Sequence, residues 1–470
     1  MARKTQENAI LKDWRESARL HMSTDLKKWL SERKIEEVEC IVPDMSGVAR
    51  GKVLPTQKFL RGLEAKSLAI PEAIFCLTVT GGYPEETDAF LDPAEKDVVM
   101  VPDPKTIRVV PWYEEPTAQI ICDCYHFSGE EVSTSPRGVL KRVLKAFEER
   151  GMTPVIAPEL EFYLVAKNTD PDNPLEPPIG RSGRPERASN AFGIDAINEF
   201  DPLIEDLYDY CEAMDIDADT MSHESGPAQL EMNFNHGEPL ELADQSFLFK
   251  RTLRETALKH GVYGTFMAKP MGNHPGSAMH IHQSLIDINT GKNLFADDDG
   301  ENSKMFLNYI GGLQRYLPAA MPLLAPNMNS YRRLQPWSDA PINMHWSLDN
   351  RTVGLRQPNG PAAARRIENR IPGADANPYL AVAASLACGL LGIIEEIEPT
   401  APIEGSGYDR AHSLPRHIHE ALAKFQRCKP LKELLGEEFS AAVLAVKEAE
   451  WDAYQTVISA WEREHLLLNV

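Results

Sequence analysis

Five short stretches of the chain alternate polar and apolar residues, and this period of two is typical of β-strands. Glu159 and Glu161 lie in APELEFYLV, and His280 and His282 lie in MHIHQSL. The other three stretches are QLEMNF (229–234), NRTVGLRQP (350–358) and RRIENR (365–370). Because alternate residues of a strand point to the same side, the pattern predicts a sheet with carboxylates, imidazoles and guanidiniums on one face.

Turn and capping signals divide the chain near residue 134. Residues 38–55 predict a β-hairpin with its turn at Asp44–Gly47, and Ser135 followed by Pro136 predicts a capped helix start. Asn377-Pro378 predicts another helix start, so the apolar run after it is expected to form a buried helix. The predicted parts are a tail and helix (1–35), a small domain of short strands (36–133) and a large domain that mixes strands and helices (134–470).

The composition indicates a globular protein that binds neither nucleic acid nor membranes. Of its 470 residues, 43% are hydrophobic, and the formal net charge of −21 at pH 7 repels polyanions. No apolar run reaches the roughly 20 residues that a membrane-spanning helix needs. The seven cysteines form no CxxC pair and the N-terminus has no apolar signal core, which favours reduced thiols and a cytoplasmic location.

Acidic residues and one histidine in or near these stretches have the chemistry of a site for hard divalent cations. The candidate ligands are Glu159, Glu161, Glu224, Glu231, His280 and Glu368. Ligand sets rich in oxygen and free of sulfur favour Mg²⁺ or Mn²⁺, and this set suffices for two or three ions. Nearby arginines can hold phosphate, so the set suits metal-assisted phosphoryl transfer. The chain has no P-loop, so ATP would be bound by metals and arginines.

Longer motifs, taken in order, resemble the glutamine synthetase family over most of the chain. They are APELEFYL, HESGPAQLEMNF, KPMGNHPGSAMHIHQSL, NSYRRLQPWSDAP, NRTVGLRQP and RRIENRIPGADANPYL, with ARGKVLP in the small domain. The resemblance implies an α+β fold in which a small N-terminal β-grasp-like domain precedes a catalytic domain with a curved antiparallel sheet flanked by helices. It also implies a dodecamer of two hexameric rings with active sites between subunits.

Carried over residue by residue, the resemblance implies a role for each candidate. One metal ion would be bound by Glu161, Glu224 and Glu231, and a second by Glu159, His280 and Glu368. The nucleotide would contact His282 and Ser284, and its phosphates would contact Arg351, Arg356 and Arg366. The glutamate site would comprise Arg333, Gly276 and Arg370, and the catalytic residues would be Arg370, Arg351 and Asp339.

The family reaction uses ATP to convert the γ-carboxylate of glutamate into an acyl phosphate, from which an amine then displaces phosphate. Ammonia-using members carry an Asp-Gly-Ser-Ser loop that binds ammonium, but residues 66–82 read KSLAIPEAIFCLTVTGG instead. The apolar residues 74–77 suit an amine with a carbon chain or, equally, a buried strand. Glu72 is either a contact for an ammonium group or an ordinary surface acid.

Three further positions depart from the family pattern. Asp339 replaces a glutamate of the flap that closes over the substrate, and Ala363 replaces a lysine near the phosphates. The tyrosine that regulated bacterial members modify has only a loose candidate in Tyr408.

With these departures, the sequence is most similar to the branch of the family that joins glutamate to polyamines such as putrescine. The leading hypothesis is therefore an ATP- and Mg²⁺-dependent γ-glutamylpolyamine ligase. The alternatives are a ligase for ethanolamine, methylamine or ammonia, and a non-catalytic ring protein.

Overall fold

A computed structural model describes residues 25–470, and it contains two β-sheets. Residues 25–32 are helical, and residues 1–24 of the predicted tail lie outside the described part. The first sheet has the order β2-β1-β6-β4-β3, with β5 paired to β6. Its strands are β1 (Glu37–Pro43), β2 (Ala49–Pro55), β3 (Ala69–Pro71), β4 (Asp97–Pro102), β5 (Arg108–Val109) and β6 (Thr117–Tyr125). The parallel pairing of β1 with β6 makes this sheet mixed.

The predicted hairpin is confirmed, because β1 and β2 pair antiparallel around a tight turn. Asp44 stabilises the turn by accepting hydrogen bonds from the backbone N–H groups of Ser46 at 2.9 Å and Val48 at 2.8 Å. Arg50 donates to the other oxygen of Asp44 at 2.8 Å. An aspartate that bonds backbone groups ahead of it is a common way to close a turn.

The second sheet has the order β12-β13-β14-β11-β7-β9-β8, with β10 paired to β7. Its strands are β7 (Met152–Val165), β8 (Ala218–His223), β9 (Gln229–Phe234), β10 (Tyr263–Thr265), β11 (Met279–Asp287), β12 (Trp346–Leu348), β13 (Leu355–Gln357) and β14 (Ile367–Asn369). Among these strands the pairings are antiparallel except that of β12 with β13. The expected α+β fold with a mainly antiparallel second sheet is confirmed. The boundary near residue 134 falls between the two sheets and stays a prediction.

Helices flank the sheets. The α-helices are Thr56–Ala65, Pro136–Glu148, Ile194–Asn198, Asp201–Ala213, Pro239–Lys259, Lys304–Leu324, Pro378–Ile394, Ile418–Arg427, Lys429–Leu435, Glu437–Gln455 and Ala460–Leu466. Short 3₁₀ helices span Glu72–Cys76, Pro104–Thr106, Met328–Arg332, Ala362–Ala364 and Gly407–Asp409. No helix within residues 25–470 is long and apolar enough to cross a membrane.

The two predicted helix starts are present. Asn377 caps the buried helix Pro378–Ile394 by accepting hydrogen bonds from the N–H groups of Tyr379 and Leu380. The helix Pro136–Glu148 also begins where the proline predicts, but the hydroxyl of Ser135 makes no capping hydrogen bond. A proline at the first helical position has a fixed φ that suits a helix and no N–H to satisfy, so it favours the start without a side-chain cap.

A buried arginine ties the first sheet to the helices of the large domain. Arg137 is only 1% exposed, and its guanidinium donates to both oxygens of Asp244 at 2.9 Å. The same group donates to Asp123 and Asp103 at 2.7 Å. Asp123 lies on β6 and Asp103 follows β4, whereas Asp244 lies on the helix Pro239–Lys259. One guanidinium therefore bridges three carboxylates at the junction, and Lys141 also pairs with Asp123.

Replacing Arg137 with methionine is expected to lower the free energy of unfolding by about 3–5 kcal/mol, because it leaves buried carboxylates without a counter-charge. Urea unfolding followed by circular dichroism measures this loss. Arg184→Met is the matched control, since Arg184 is exposed and a change there should cost well under about 1 kcal/mol. Equal losses in the two variants would contradict the structural role of the buried cluster.

Candidate active site

The strand register of the second sheet brings the predicted acidic residues together. Glu159 lies opposite His280 across the β7–β11 pair, and Glu161 lies opposite Glu231 across the β7–β9 pair. Residues directly opposite on antiparallel strands have side chains on the same face, with Cβ atoms about 5 Å apart. The central strand β7 therefore places Glu159 beside a residue of β11 and Glu161 beside a residue of β9.

His280 lies at the centre of this cluster. Its Nδ1 is 3.2 Å from Glu159, 3.8 Å from Glu368 and 3.9 Å from Glu231, and its Nε2 is 3.9 Å from Glu161. Two groups of residues could each hold a cation, because the possible ligand atoms within each group lie within 4.8 Å of one another. One group is Glu159, His280 and Glu368, and the other is Glu161, Glu231 and His280. The atoms of both groups are mostly carboxylate oxygens, which suits a hard divalent cation.

One unsatisfied atom supports a cation at this place. The Nε2 of His280 is buried and has no hydrogen-bond partner among the described residues. Buried polar atoms are nearly always paired, so an orphaned imidazole nitrogen facing carboxylates calls for an explanation. A metal ion would accept that nitrogen as a ligand and would neutralise the surrounding acids, so the residues present fit a divalent metal.

Electrostatic crowding divides the acids into two kinds. Burial raises the pKa of Glu231, and the charges of Glu159 and Glu161 raise it further. Burial also opposes the ionisation of Glu159, but hydrogen bonds from His280 and His282 outweigh it and hold its pKa below its usual range. The cluster therefore contains carboxylates that are hard to ionise beside carboxylates that are already paired.

Glu224 does not belong to either group of possible ligands in the described part of the chain. It follows β8, and its backbone N–H donates to the carbonyl of Gln229 at 2.8 Å. Burial raises the pKa of Glu224 to about 8, and the charges of Glu161 and Asp339 add to the effect. Glu224 is thus close enough to the cluster for the charge of Glu161 to raise its pKa. Its role as a metal ligand together with Glu161 and Glu231 remains a prediction.

Gln229 positions Glu161 and was not among the predicted site residues. Its side-chain amide donates to one oxygen of Glu161 at 3.3 Å, and the backbone N–H of Ala278 donates to the same oxygen at 2.8 Å. Gln229 shares the alternating pattern of QLEMNF, which was the available signal. An amide that holds a ligand carboxylate from behind fixes its orientation.

Arginines border the cluster on the β13–β14 side. Glu368 is fully buried and is paired with Arg356 at 2.9 Å and with Arg370. Burial opposes its ionisation, but Arg370 leads the charges that lower the pKa of Glu368 to about 2. Arg356 also contacts Asp349 at 2.7 Å. Arg351, in contrast, lies in an exposed turn before β13. Its odd spacing from Arg356 does not fit one strand face, so the alternation expected there was wrong.

A cavity of about 400 Å³ opens next to Glu159. Three of the predicted nucleotide contacts line it: His282, Ser284 and Arg366. The Nε of Arg366 donates to Nδ1 of His282 at 3.3 Å, and His282 contacts Glu159 at 2.9 Å. The wall also includes Ala363, where the family carries a lysine, and Asn233, whose buried Oδ1 lacks a partner among the described residues. This cavity has room for part of a nucleotide beside the acidic cluster.

Arg333 and Gly276 lie against each other. The guanidinium of Arg333 is buried and donates to the backbone carbonyls of Arg370 at 2.9 Å and Ile371 at 2.8 Å. A Cβ on Gly276 would fall 2.4 Å from the carbonyl of Ala268 and 2.6 Å from Cγ of Arg333, so only glycine fits there. These two bonds use only part of the five N–H groups of a guanidinium.

The middle of the small-domain segment 66–82 is buried, whereas its two ends are exposed. Phe75 and Cys76 are fully buried in the 3₁₀ helix Glu72–Cys76, so the structure favours burial of this run over contact with an amine. Glu72 is also buried, and its carboxylate lies 3.7 Å from Nε2 of His126. It is therefore not an ordinary surface acid. Near the end of the segment, the backbone N–H of Val79 donates to Glu450 at 2.7 Å.

Comparison with known proteins shows which family and which relatives the chain is similar to. The family model described as "Glutamine synthetase, catalytic domain" matches residues 133–466. Gamma-glutamylputrescine synthetase PuuA of Escherichia coli K12 is 35% identical, with 92% of each chain covered. Glutamate–isopropylamine ligase of a Pseudomonas species is 31% identical, covering 93% of this chain and 96% of that ligase. Glutamine synthetase of Thermotoga maritima is 29% identical, covering 94% and 98%.

The fold comparison agrees with the sequence comparison. A solved structure described as a GmaS/ADP complex matches with a TM-score of 0.79 at 27% identity. It covers 94% of this chain and 98% of that chain. The match therefore includes the small domain as well as the sheet that carries the acidic cluster.

Adding Mn²⁺ or Mg²⁺ is expected to raise the melting temperature, because a cation that binds only the folded state stabilises it by about 2.7 kcal/mol at a hundred times its Kd. Glu161→Gln should abolish most of this shift and should not lower the melting temperature without metal, since it relieves charge repulsion. Glu148→Gln, at an exposed acid in the helix Pro136–Glu148 and outside the cluster, should keep the full shift. Differential scanning fluorimetry distinguishes these outcomes.

Metal binding is also expected to release protons near neutral pH. The pKa of Glu224 without metal is raised to about 8, whereas a metal ligand must be ionised, so binding should weaken as the pH falls below about 8. Calorimetry in two buffers with different ionisation enthalpies measures the released protons. Glu224→Gln should reduce their number. An unchanged number would remove Glu224 from the ligand set.

Proposed function

The chain belongs to the glutamine synthetase family and is an ATP-dependent ligase, and from this premise we propose that it joins the γ-carboxylate of glutamate to a primary amine. Members of the family use glutamate with an amine or ammonia, together with ATP and divalent metals. The amine we propose is putrescine or another polyamine. The product would be a γ-glutamyl amide, formed through γ-glutamyl phosphate.

The acidic cluster supports the metal part of this proposal. We propose two to three Mg²⁺ or Mn²⁺ ions per site, held in part by Glu159, His280 and Glu368 and in part by Glu161, Glu231 and Glu224. When bound, such ions would neutralise the negative charge of the phosphate oxygens. The orphaned Nε2 of His280 and the approach of the possible ligand atoms to within 4.8 Å of one another are the observations that carry this assignment.

The first half-reaction transfers the terminal phosphoryl group of ATP. An oxygen of the glutamate γ-carboxylate attacks the terminal phosphorus, and the bond from that phosphorus to the bridging oxygen of ADP breaks. In this proposal His282 and Ser284 contact the nucleotide, and Arg356 and Arg366 neutralise its phosphates. Arg351 lies in the exposed turn before β13, so its guanidinium would reach the phosphates only with the side chain extended toward them.

The second half-reaction forms the amide bond. The nitrogen of a neutral amine attacks the acyl carbon, the C–O bond to phosphate breaks, and the amine loses a proton. Arg370, buried beside Glu368, would stabilise the charge that develops on the transferring groups. Arg333 and Gly276 would hold glutamate, and the carboxylate of Asp339 is the proposed acceptor for the proton.

The small domain supports an amine larger than ammonia. Residues 66–82 lack the Asp-Gly-Ser-Ser loop that ammonia-using members carry. Similarity to a γ-glutamylputrescine synthetase supports a polyamine in particular. Similarity to an isopropylamine ligase and to glutamine synthetases supports the second candidates, a smaller amine or ammonia.

The family relationship also supports an assembly. We infer a dodecamer of two hexameric rings in which neighbouring subunits complete each other's sites. A mass near twelve times 52.5 kDa in solution would agree with this inference.

Phosphate release from ATP tests the function directly. With Mg²⁺ and glutamate, the protein is expected to turn over putrescine, spermidine or spermine faster than ammonium, methylamine or ethanolamine. Glu161→Ala and Arg370→Ala should each lower kcat/KM on the order of 100-fold or more, because they remove a metal ligand and a transition-state charge partner. Arg184→Ala, at an exposed arginine, should retain activity.

Each contrary outcome has a distinct meaning. Turnover with ammonium alone would make the chain an ammonia-using member with a different ammonium site. Nucleotide binding without turnover of any amine would favour a non-catalytic ring protein. Full activity of the Glu161 or Arg370 variant would refute the assigned roles.

A further inference from the structure

Trp337 has a conformation and an exposure that the packing of the protein does not explain. Its side chain is 73% exposed, and its backbone φ of +59° is in the left-handed region. Asp339, two residues later, also has a left-handed φ of +56°. Bulky side chains rarely adopt this conformation, and such strain is found most often at functional sites. An exposed tryptophan in this conformation buries little apolar surface that could offset the backbone strain.

An aromatic partner holds the Trp337 ring in place. The rings of Trp337 and Tyr408 have centroids 4.9 Å apart with an angle of 44° between their planes. The hydroxyl of Tyr408 donates to the carbonyl of Ala340 at 3.2 Å, which ties the second ring to the segment that carries the first. The pair is therefore a fixed aromatic surface that faces solvent.

A chain of hydrogen bonds connects this aromatic surface to the acidic cluster. Ser338 donates to the carbonyl of Arg333 at 3.0 Å, and Arg333 donates to the carbonyl of Arg370 at 2.9 Å. Arg370 is in turn paired with Glu368. The aromatic surface thus lies on the segment that continues directly from the proposed glutamate contact.

We propose that Trp337 and Tyr408 bind the distal ammonium group of a diamine substrate through the faces of their rings. The proposal rests on the proposed function and deepens it, because it names what recognises the far end of the amine. A cation over the face of an aromatic ring is attracted by the ring quadrupole, and tryptophan is the best such ring.

A matched pair of amines isolates this interaction. Putrescine and n-butylamine have the same number of carbons, but only putrescine carries a second ammonium group. Trp337→Leu keeps an apolar side chain and removes the ring. It is expected to lower kcat/KM for putrescine about 2- to 30-fold, mostly through KM, which corresponds to the range measured for cation–π contacts. The kcat/KM for butylamine and the KM for glutamate should stay close to the parent values.

Control variants separate charge recognition from a general effect on the flap. Trp337→Phe keeps an aromatic face and should retain most of the preference for putrescine. Phe127→Leu changes another aromatic residue with 72% exposure and should alter neither amine. Equal losses for putrescine and butylamine in Trp337→Leu, or no loss for either, would overturn the proposal. Absence of amine-dependent phosphate release in the parent protein would instead refute the proposed function.

Discussion

Charge crowding on one face of the second sheet is the constraint on which the rest of the site depends. The antiparallel register sets Glu159 opposite His280 and Glu161 opposite Glu231, so rotation of a single side chain does not disperse the charges. Burial strengthens the repulsion, because buried charges are screened less by water. Arginines paired with Glu368 offset part of it, and bound cations would offset the rest. Stability and the proposed binding of cations are therefore coupled at this face through the same charges.

A face under such repulsion requires a rigid support, and the fold provides it through buried polar links as well as through its apolar core. Asn377 accepts hydrogen bonds that cap the helix Pro378–Ile394, and it also donates to the carbonyl of Asp44 in the small-domain hairpin at 2.8 Å. The Arg137 cluster joins the first sheet to the same set of helices. These links fix the small domain relative to the acidic face, because breaking either one leaves a buried group unpaired.

The sequence predicted the acidic face because the period of two is a local property of each strand. It did not predict which strands are neighbours, since the pairing of Glu159 with His280 joins residues far apart in the chain. For the same reason the role of Gln229 behind Glu161 was missed. Burial was also hard to predict where a segment is short: residues 74–77 suited two environments, and only tertiary packing distinguishes them. The alternation expected around Arg351 was wrong because a turn precedes β13.

Under the proposed function, selection of an amine would rely on charge more than on size. A hydrophobic pocket distinguishes substrates that differ by one methylene by only about 1–3 kcal/mol, so a cavity that accepts a carbon chain also accepts neighbouring chain lengths. Phe75 and Cys76 of the segment 66–82 are buried, so these two residues do not line a pocket for a carbon chain. Under the proposed function, the exposed ring of Trp337 would contact the far end of the amine instead. A second positive charge on the substrate is the feature that such a ring would distinguish best, and it is the feature that separates polyamines from ammonia and from simple alkylamines.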